Sequence, residues 1–416
     1  VASGEERLSR VAALGQTAQV AVMLGQSGQC LAALDEQRAA AGDDQPSLVW
    51  ALTSAAGCRA VLGDLRRARQ DLIQVRQACN YIAPLLAEPF WRFADAVCNW
   101  LGDDWMAAEA DAAVLDSSQV SPVTPALAEF VTALRTELLR GLGRTADSRA
   151  TAERLTASPM AEINAWAMAG LDIDQDEPAR AMRRLEDARG GSRGGAGAAA
   201  LPLVLHRLAE TAFSCGDRDV TAHAAAALAE LDQAAPLAEI MAGLAAAYAT
   251  GDPQPARQAQ RLAKAEGAAA LTAEALFVRG QVGDQPDQTF AAAHAAWQQI
   301  GAPAKARSVA AAMRAAGLPV PSVRVRRLAR AAAEGPAPLT ARERTLARLV
   351  HEGHTNQQIA RAMHVSVKTV EAYLTRVYRK TACSSRVELA VAVTERRIQV
   401  GESGRAAKRP GPGSGP

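Results

Sequence analysis

Aromatic side chains are scarce: Phe, Tyr and Trp make up 4% of 416 residues, so the core must be built from Ala, Leu and Val. That favours helix over sheet, because sheets are enriched in aromatic and β-branched residues. No run of about 18 apolar residues occurs, which excludes a membrane-spanning helix. Six cysteines (Cys30, Cys58, Cys79, Cys98, Cys215 and Cys383) are scattered without a C-x-x-C pair. They read as reduced, mostly buried thiols of a cytoplasmic protein, not as a disulfide frame or zinc site. Val1 to Gly15 carries Glu5 and Glu6 and lacks the apolar core of a secretory signal. The opening residue is valine rather than methionine, which fits either a valine-decoded start or a piece of a longer chain.

Chemistry-bearing motifs are equally sparse. The Gly-rich stretch Gly190–Gly197 is no phosphate loop, which needs G-x-x-x-x-G-K-[ST]. The two Lys-Thr pairs, Lys368-Thr369 and Lys380-Thr381, follow Val367 and Arg379. The stretch therefore reads as a flexible connection. His351-Glu352-x-His354 lacks the i, i+4 histidines of a zinc protease and straddles a helix end. No cofactor, metal or catalytic constellation is expected, and the chain is not read as an enzyme.

A net charge of +2 hides an asymmetry. From Pro321 onward there are 18 basic against 7 acidic residues; before it, 28 against 37. A basic C-terminal quarter on an acidic body points to nucleic acid.

Turn signals recur along that body at Gly63-Asp64, Gly102-Asp103, Gly143-Arg144, Asp174-Gln175, Gly216-Asp217, Gly251-Asp252 and Gly283-Asp284, at intervals of 31 to 42 residues. Each separates two apolar helical stretches, as in Ala51–Leu62 and Leu65–Val75. Glycine ends one helix by tolerating positive φ, and Asp caps the next. One such hairpin cannot bury its own apolar face, so the pattern predicts an all-α solenoid over 1–318. Ala55, Ala56, Ala60 and Ala68 permit close helix approach. The turn Leu62-Gly63-Asp64-Leu65-Arg66-Arg67-Ala68 resembles that of tetratricopeptide repeats, which implies a concave surface for a protein or peptide partner. Trp50, Trp91, Trp100 and Trp105 read as hairpin core.

A basic, Pro-flanked linker is expected over 319–337 and a disordered tail over 401–416. Between them, 338–400 predicts four helices. Thr340 with Glu343 makes a capping box, and Leu346, Leu349 and Val350 form one face until Gly353. Thr355 caps a second helix with Gln358 at the box position and Ile359, Ala360 and Met363 inward. After the turn at His364–Ser366, a third helix over 367–381 places Val367, Val370, Leu374 and Val377 inward. A fourth, from Ser385 to Arg397, buries Val387, Leu389, Ala390 and Val393. Two short helices joined by a tight turn, the second amphipathic and basic, form a helix-turn-helix. On its exposed side Lys368, Thr369, Tyr373, Arg376 and Arg379 would contact phosphates, joined by Lys380. Ser366 at the N-cap, and Asn356 and Gln357 on the scaffold helix, could add to them.

The run Leu339-Thr340-x-Arg342-Glu343, Gly353-x-Thr355-Asn356-x-x-Ile359-Ala360, Val365-Ser366-x-x-Thr369-Val370-Glu371, Tyr378-Arg379-Lys380 and Ser385-Arg386-x-Glu388-Leu389 is similar to the LuxR/NarL-type (GerE) DNA-binding domain. Thr381-Ala382 stands where that family usually has Leu-Gly, a departure that would extend or loosen the end of the third helix. The resemblance implies that Glu371, Ala372 and Thr375 face the bases.

The whole resembles the large LuxR-type regulators, in which a helical region precedes such a domain. Many of these also carry a nucleotide-binding module, which this sequence does not contain. The expected function is transcription regulation: a homodimer on double-stranded DNA, paired through Val387, Leu389 and Val391, with the repeats as sensor or platform. The alternative is a protein-interaction scaffold whose helix-turn-helix serves mainly in dimerisation.

Overall fold

The computed structural model describes residues 4–79, 88–117, 125–155, 161–191, 197–320, 339–363, 365–381, 383, 385–394 and 398, without the side chains of 79, 191, 341, 379 and 387. The 319–337 linker beyond Val320, the core of the Gly-rich stretch (192–196) and the 401–416 tail lie outside these residues. Among the described residues every regular element is helical. The chain divides into two compact units, Val1–Val320 and Pro321–Pro416.

The first unit stacks helical hairpins: α1 (Gly4–Met23) with α2 (Ser27–Ala41), α3 (Gln45–Leu62) with α4 (Leu65–Cys79), α5 (Glu88–Leu101) with α6 (Trp105–Ser117), and α7 (Pro125–Gly141) with α8 (Thr145–Ala152). The series continues with α9 (Ala161–Asp174) and α10 (Pro178–Gly191), then α11 (Leu201–Ser214) and α12 (Arg218–Ala229). It ends with α13 (Pro236–Thr250) and α14 (Gln254–Ala265), α15 (Ala269–Gln281) and α16 (Pro286–Ile300), and α17 (Pro303–Ala315). The Gly63 turn shows why these residues make hairpins. Gly63 sits at φ 81°, a left-handed conformation that a Cβ disfavours, and Asp64 accepts from the Arg67 amide to start α4. Three turns depart from the expected residues. After α5 the cap is Asp104, not Asp103; after α9 the positive φ falls on Asp176; and before α16 Gln285, at φ 45°, stands at the helix start while the Asp284 carboxylate pairs with Arg257 and Arg279.

Ala56, Ala60 and Ala68 are fully buried between helices, and the large side chains fill what remains. Trp91, Trp100 and Trp105 are core residues, with edge-on ring pairs Trp100–Trp166 and Trp105–Trp297 at 5.5 Å. Trp50 is only half-buried and lines a cavity instead.

The array also winds back onto itself. Helices α3, α5 and α7 pack against α13, α15 and α17, five hairpins further on. Backbone and side-chain bonds stitch the contact: Ala270 N–H to the Gly102 carbonyl at 3.1 Å, and Arg69 to the Gly267 carbonyl at 3.2 Å. Charged groups caught in this packing are paired. Glu137 is buried between Arg140 (2.8 Å) and Arg207 (2.9 Å). Burial alone would raise its pKa, but the two guanidiniums hold it well below the ordinary carboxylate range. The chamber around this group, walled by Trp100, Trp105, Trp166 and Trp297, holds only about 60 Å³.

The second unit has four helices: α18 (Ala341–His351), α19 (Asn356–Met363), α20 (Val367–Thr381) and α21 (Arg386–Thr394). Each starts on a hydroxyl cap. Thr340 and Glu343 form the reciprocal box of α18, and Thr355 and Gln358 exchange the same pair of bonds at α19. Ser366 accepts from the Thr369 amide at 3.0 Å, and Ser385 from that of Glu388 at 3.2 Å. Leu346, Ile359, Val370, Val377 and Leu389 meet in the core, with α21 packed on α18.

Candidate nucleic-acid interface

Helix α20 has two chemically distinct faces. Val370, Tyr373, Leu374 and Val377 are buried, at the i, i+3, i+4, i+7 spacing of one helical stripe. On the opposite side Lys368, Glu371 and Thr375 are exposed and Ala372 is half-exposed, again at i, i+3, i+4, i+7. The start of the helix is equally open: the cap Ser366 and the first residue Val367 are exposed. Ser366 Oγ caps the helix and lies 2.8 Å from Thr369 Oγ1. The start of α20 is thus open beside a lysine, with the Thr369 amide held by Ser366 Oγ, and the positive end of the helix dipole there favours an anion.

Two expected contact residues, Tyr373 and Lys380, and one expected core residue, Val367, are placed differently. Tyr373 is 1% exposed, a core residue rather than a phosphate contact. It lies three residues after Val370 and four before Val377, so helical geometry turns its ring inward. Val367, expected inward, is 40% exposed because it lies beyond the last core layer. Lys380 reaches back into its own domain, its Nζ 2.6 Å from the buried Glu343 carboxylate.

Arg376 is half-buried, its guanidinium 5.6 Å from the centre of the Tyr373 ring, a cation–π contact that steadies the arginine at the edge of the exposed stripe. Thr375 Oγ1 donates to the Glu371 carbonyl, which leaves the oxygen as an acceptor toward solvent. Gln357 is exposed. Asn356 is half-buried, its Oδ1 accepting from Arg386 at 3.0 Å. Arg386 also donates to the His354 carbonyl, so one residue of α21 fixes the start of α19. Sequence spacing did not reveal that role, since the partners are some thirty residues apart. The side chain of Arg379 lies outside the described residues.

The same geometry corrects the pairing surface expected on α21. Leu389 is buried in its own domain, whereas Val391 is 42% exposed; the Val387 side chain lies outside the described residues. Positions two apart on a helix point to different sides, so Leu389 and Val391 do not share one face. Helix α20 is described as far as Thr381, whose hydroxyl donates to the Val377 carbonyl; Ala382, the second residue of the Thr381-Ala382 departure, lies outside the described residues.

Residues 337–393 match the family described as bacterial regulatory proteins, luxR family (GerE). The C-terminal unit is a LuxR-family helix-turn-helix domain. Over 57 residues it is 47% identical to an HTH-type transcriptional regulator of Mycobacterium bovis, and equally to one of Mycobacterium tuberculosis. Those matches cover 14% of this chain and 6% of each relative. The monoamine regulon transcriptional regulator of Klebsiella aerogenes is 43% identical over 54 residues, 13% of this chain and 24% of that protein. The likeness therefore lies in the LuxR-family domain, and the chain spans only a small part of these relatives.

Proposed function

We propose that this chain regulates transcription by binding double-stranded DNA, with α20 in the major groove. The observation that carries the reading is the two-faced helix: a stripe of Lys368, Glu371, Ala372 and Thr375 left open on a helix whose other side is fixed in a core. A major groove is wide enough to admit such a helix. In this reading Ser366, Lys368, Thr369 and Arg376, with Arg379 and Gln357, meet phosphates. Glu371 accepts from a cytosine amino group, Ala372 packs on a thymine methyl, and Thr375 offers its oxygen to a base edge.

One reader helix contacts one half-site, so the DNA-bound species is a homodimer on a two-fold site. The hairpin array serves as the sensing or assembling part. The domain organisation we adopt is 1–318 for the array, 319–337 for the linker, 338–400 for the reader and 401–416 for the tail, in a cytoplasmic protein.

Fluorescence anisotropy with the intact chain and a library of labelled duplexes tests this. Binding should weaken with salt, the log–log slope approaching about −0.9 per phosphate contact. Absence of binding at low salt, or a slope near zero, rejects the proposal. Chemical cross-linking on bound duplex should give dimers; monomers alone would reject the two-fold arrangement.

A further inference from the structure

We propose that the first hairpins of the array hold a binding site for an uncharged, aromatic small molecule. A cavity of about 420 Å³ opens between α1, α2, α3, α5 and α7, within the range of about 300–1,000 Å³ usual for small-ligand pockets. One side is an aromatic wall. Trp50 and Phe90 meet edge-on at 6.4 Å, and Phe93 and Phe130 at 5.4 Å. In a chain with so few aromatic residues, four of them border this one cavity.

Its charge separates it from the rest of the interior. Among the described residues no Asp, Glu, Lys, Arg or His lines it, whereas the filled chamber near Glu137 is walled by Arg207, Glu210, Glu274 and Lys305 as well as tryptophans. A charged guest would lose its hydration and gain no counter-charge here, so the occupant is neutral. The polar groups present are amides and hydroxyls. Gln37, 1% exposed, donates through Nε2 to the Val11 carbonyl at 2.9 Å and to Ser54 Oγ at 3.3 Å. Its Oε1 has no hydrogen-bond partner among the described residues.

Gly57 supplies a way to close the site without disturbing the fold. It lies in α3 on the cavity wall, and a Cβ added there meets nothing within 4 Å. Gly57→Leu therefore extends into the empty space, and leucine is also the better helix former.

The experiment uses the intact chain and N-phenyl-1-naphthylamine, a neutral amine that joins a phenyl and a naphthyl group. Its fluorescence should rise saturably at one site per chain, with energy transfer from tryptophan. Gly57→Leu should weaken binding at least tenfold while circular dichroism and the unfolding midpoint hold or improve. 8-Anilinonaphthalene-1-sulfonate, the same framework with a negative charge, should bind at least tenfold more weakly than the neutral probe. Non-saturable uptake, equal binding of both probes, or undiminished binding to Gly57→Leu overturns the proposal. None of these readouts involves DNA, so the site stands or falls apart from the reader helix.

Discussion

Lys380 Nζ lies 2.6 Å from the carboxylate oxygen of Glu343 that also accepts the Thr340 amide at 2.8 Å. One carboxylate thus starts α18 and ties down the end of α20. The pair is unequal: the Glu343 side chain is 1% exposed, that of Lys380 22%. Removing the lysine leaves a buried carboxylate without its counter-ion, while removing the acid leaves an ammonium that can reach water. Lys380→Met should therefore destabilise the reader domain by about 3 kcal/mol, and Glu343→Gln by roughly half that. Urea unfolding of both variants checks the order. A larger loss for Glu343→Gln would mean that the cap matters more than the ion pair.

The same pairing separates Lys380 from the DNA contacts. On the exposed stripe, Arg376→Ala should weaken binding to all duplexes alike and reduce the magnitude of the salt slope by about 1. Glu371→Ala should instead relax preference at one base pair, by about 1–3 kcal/mol of discrimination. Competition between duplexes for each variant tests the division. Uniform loss in both variants would remove Glu371 from the base-facing set.

How far the sequence reveals all this depends on the distance between partners. The four helix starts of the reader are legible because Thr340 and Glu343, or Thr355 and Gln358, cap each other within one turn. The inward ring of Tyr373 follows the spacing of Val370 and Val377, yet a tyrosine beside arginines also suits a polar surface, and composition alone misplaces it. Lys380 with Glu343 and Arg386 with Asn356 join residues thirty or more positions apart, and no local pattern encodes them. The hairpins are legible from their turns. The closure of α3 on α13 and α5 on α15 is not, because it depends on small rotations accumulated over five hairpins.

Gly141 marks how tightly the array is packed. A Cβ there would lie 2.0 Å from Trp105 Cζ3, and that ring is pinned by its own N–H to the Trp100 carbonyl at 2.7 Å and by Trp297. Alanine is ordinarily the better helical residue, but Gly141→Ala should lower stability by about 1–3 kcal/mol through overpacking. Thermal unfolding reads the sign directly; a gain in stability would show that Trp105 can move aside.

His206 predicts a pH response of the array. It is 6% exposed, and its Nε2 has no hydrogen-bond partner among the described residues. Burial, with Lys305 and Arg207 nearby, pushes its pKa down to about 4 against the pull of Glu210. The unfolded chain takes up the imidazole proton near pH 6.5, while the folded chain resists until about 4. Stability from this group is therefore intact above pH 6.5 and falls as the medium is acidified, by about 1.4 kcal/mol per pH unit and roughly 3 kcal/mol over the window. Glu274, whose pKa burial raises in the same chamber, acts in the opposite direction, so the measurement is a difference. Urea midpoints of the chain and of His206→Gln are compared from pH 7.5 to 4.5. The variant should lose the His206 share of the slope, and parallel curves would mean that the imidazole gains its proton in the folded state as readily as in the unfolded one.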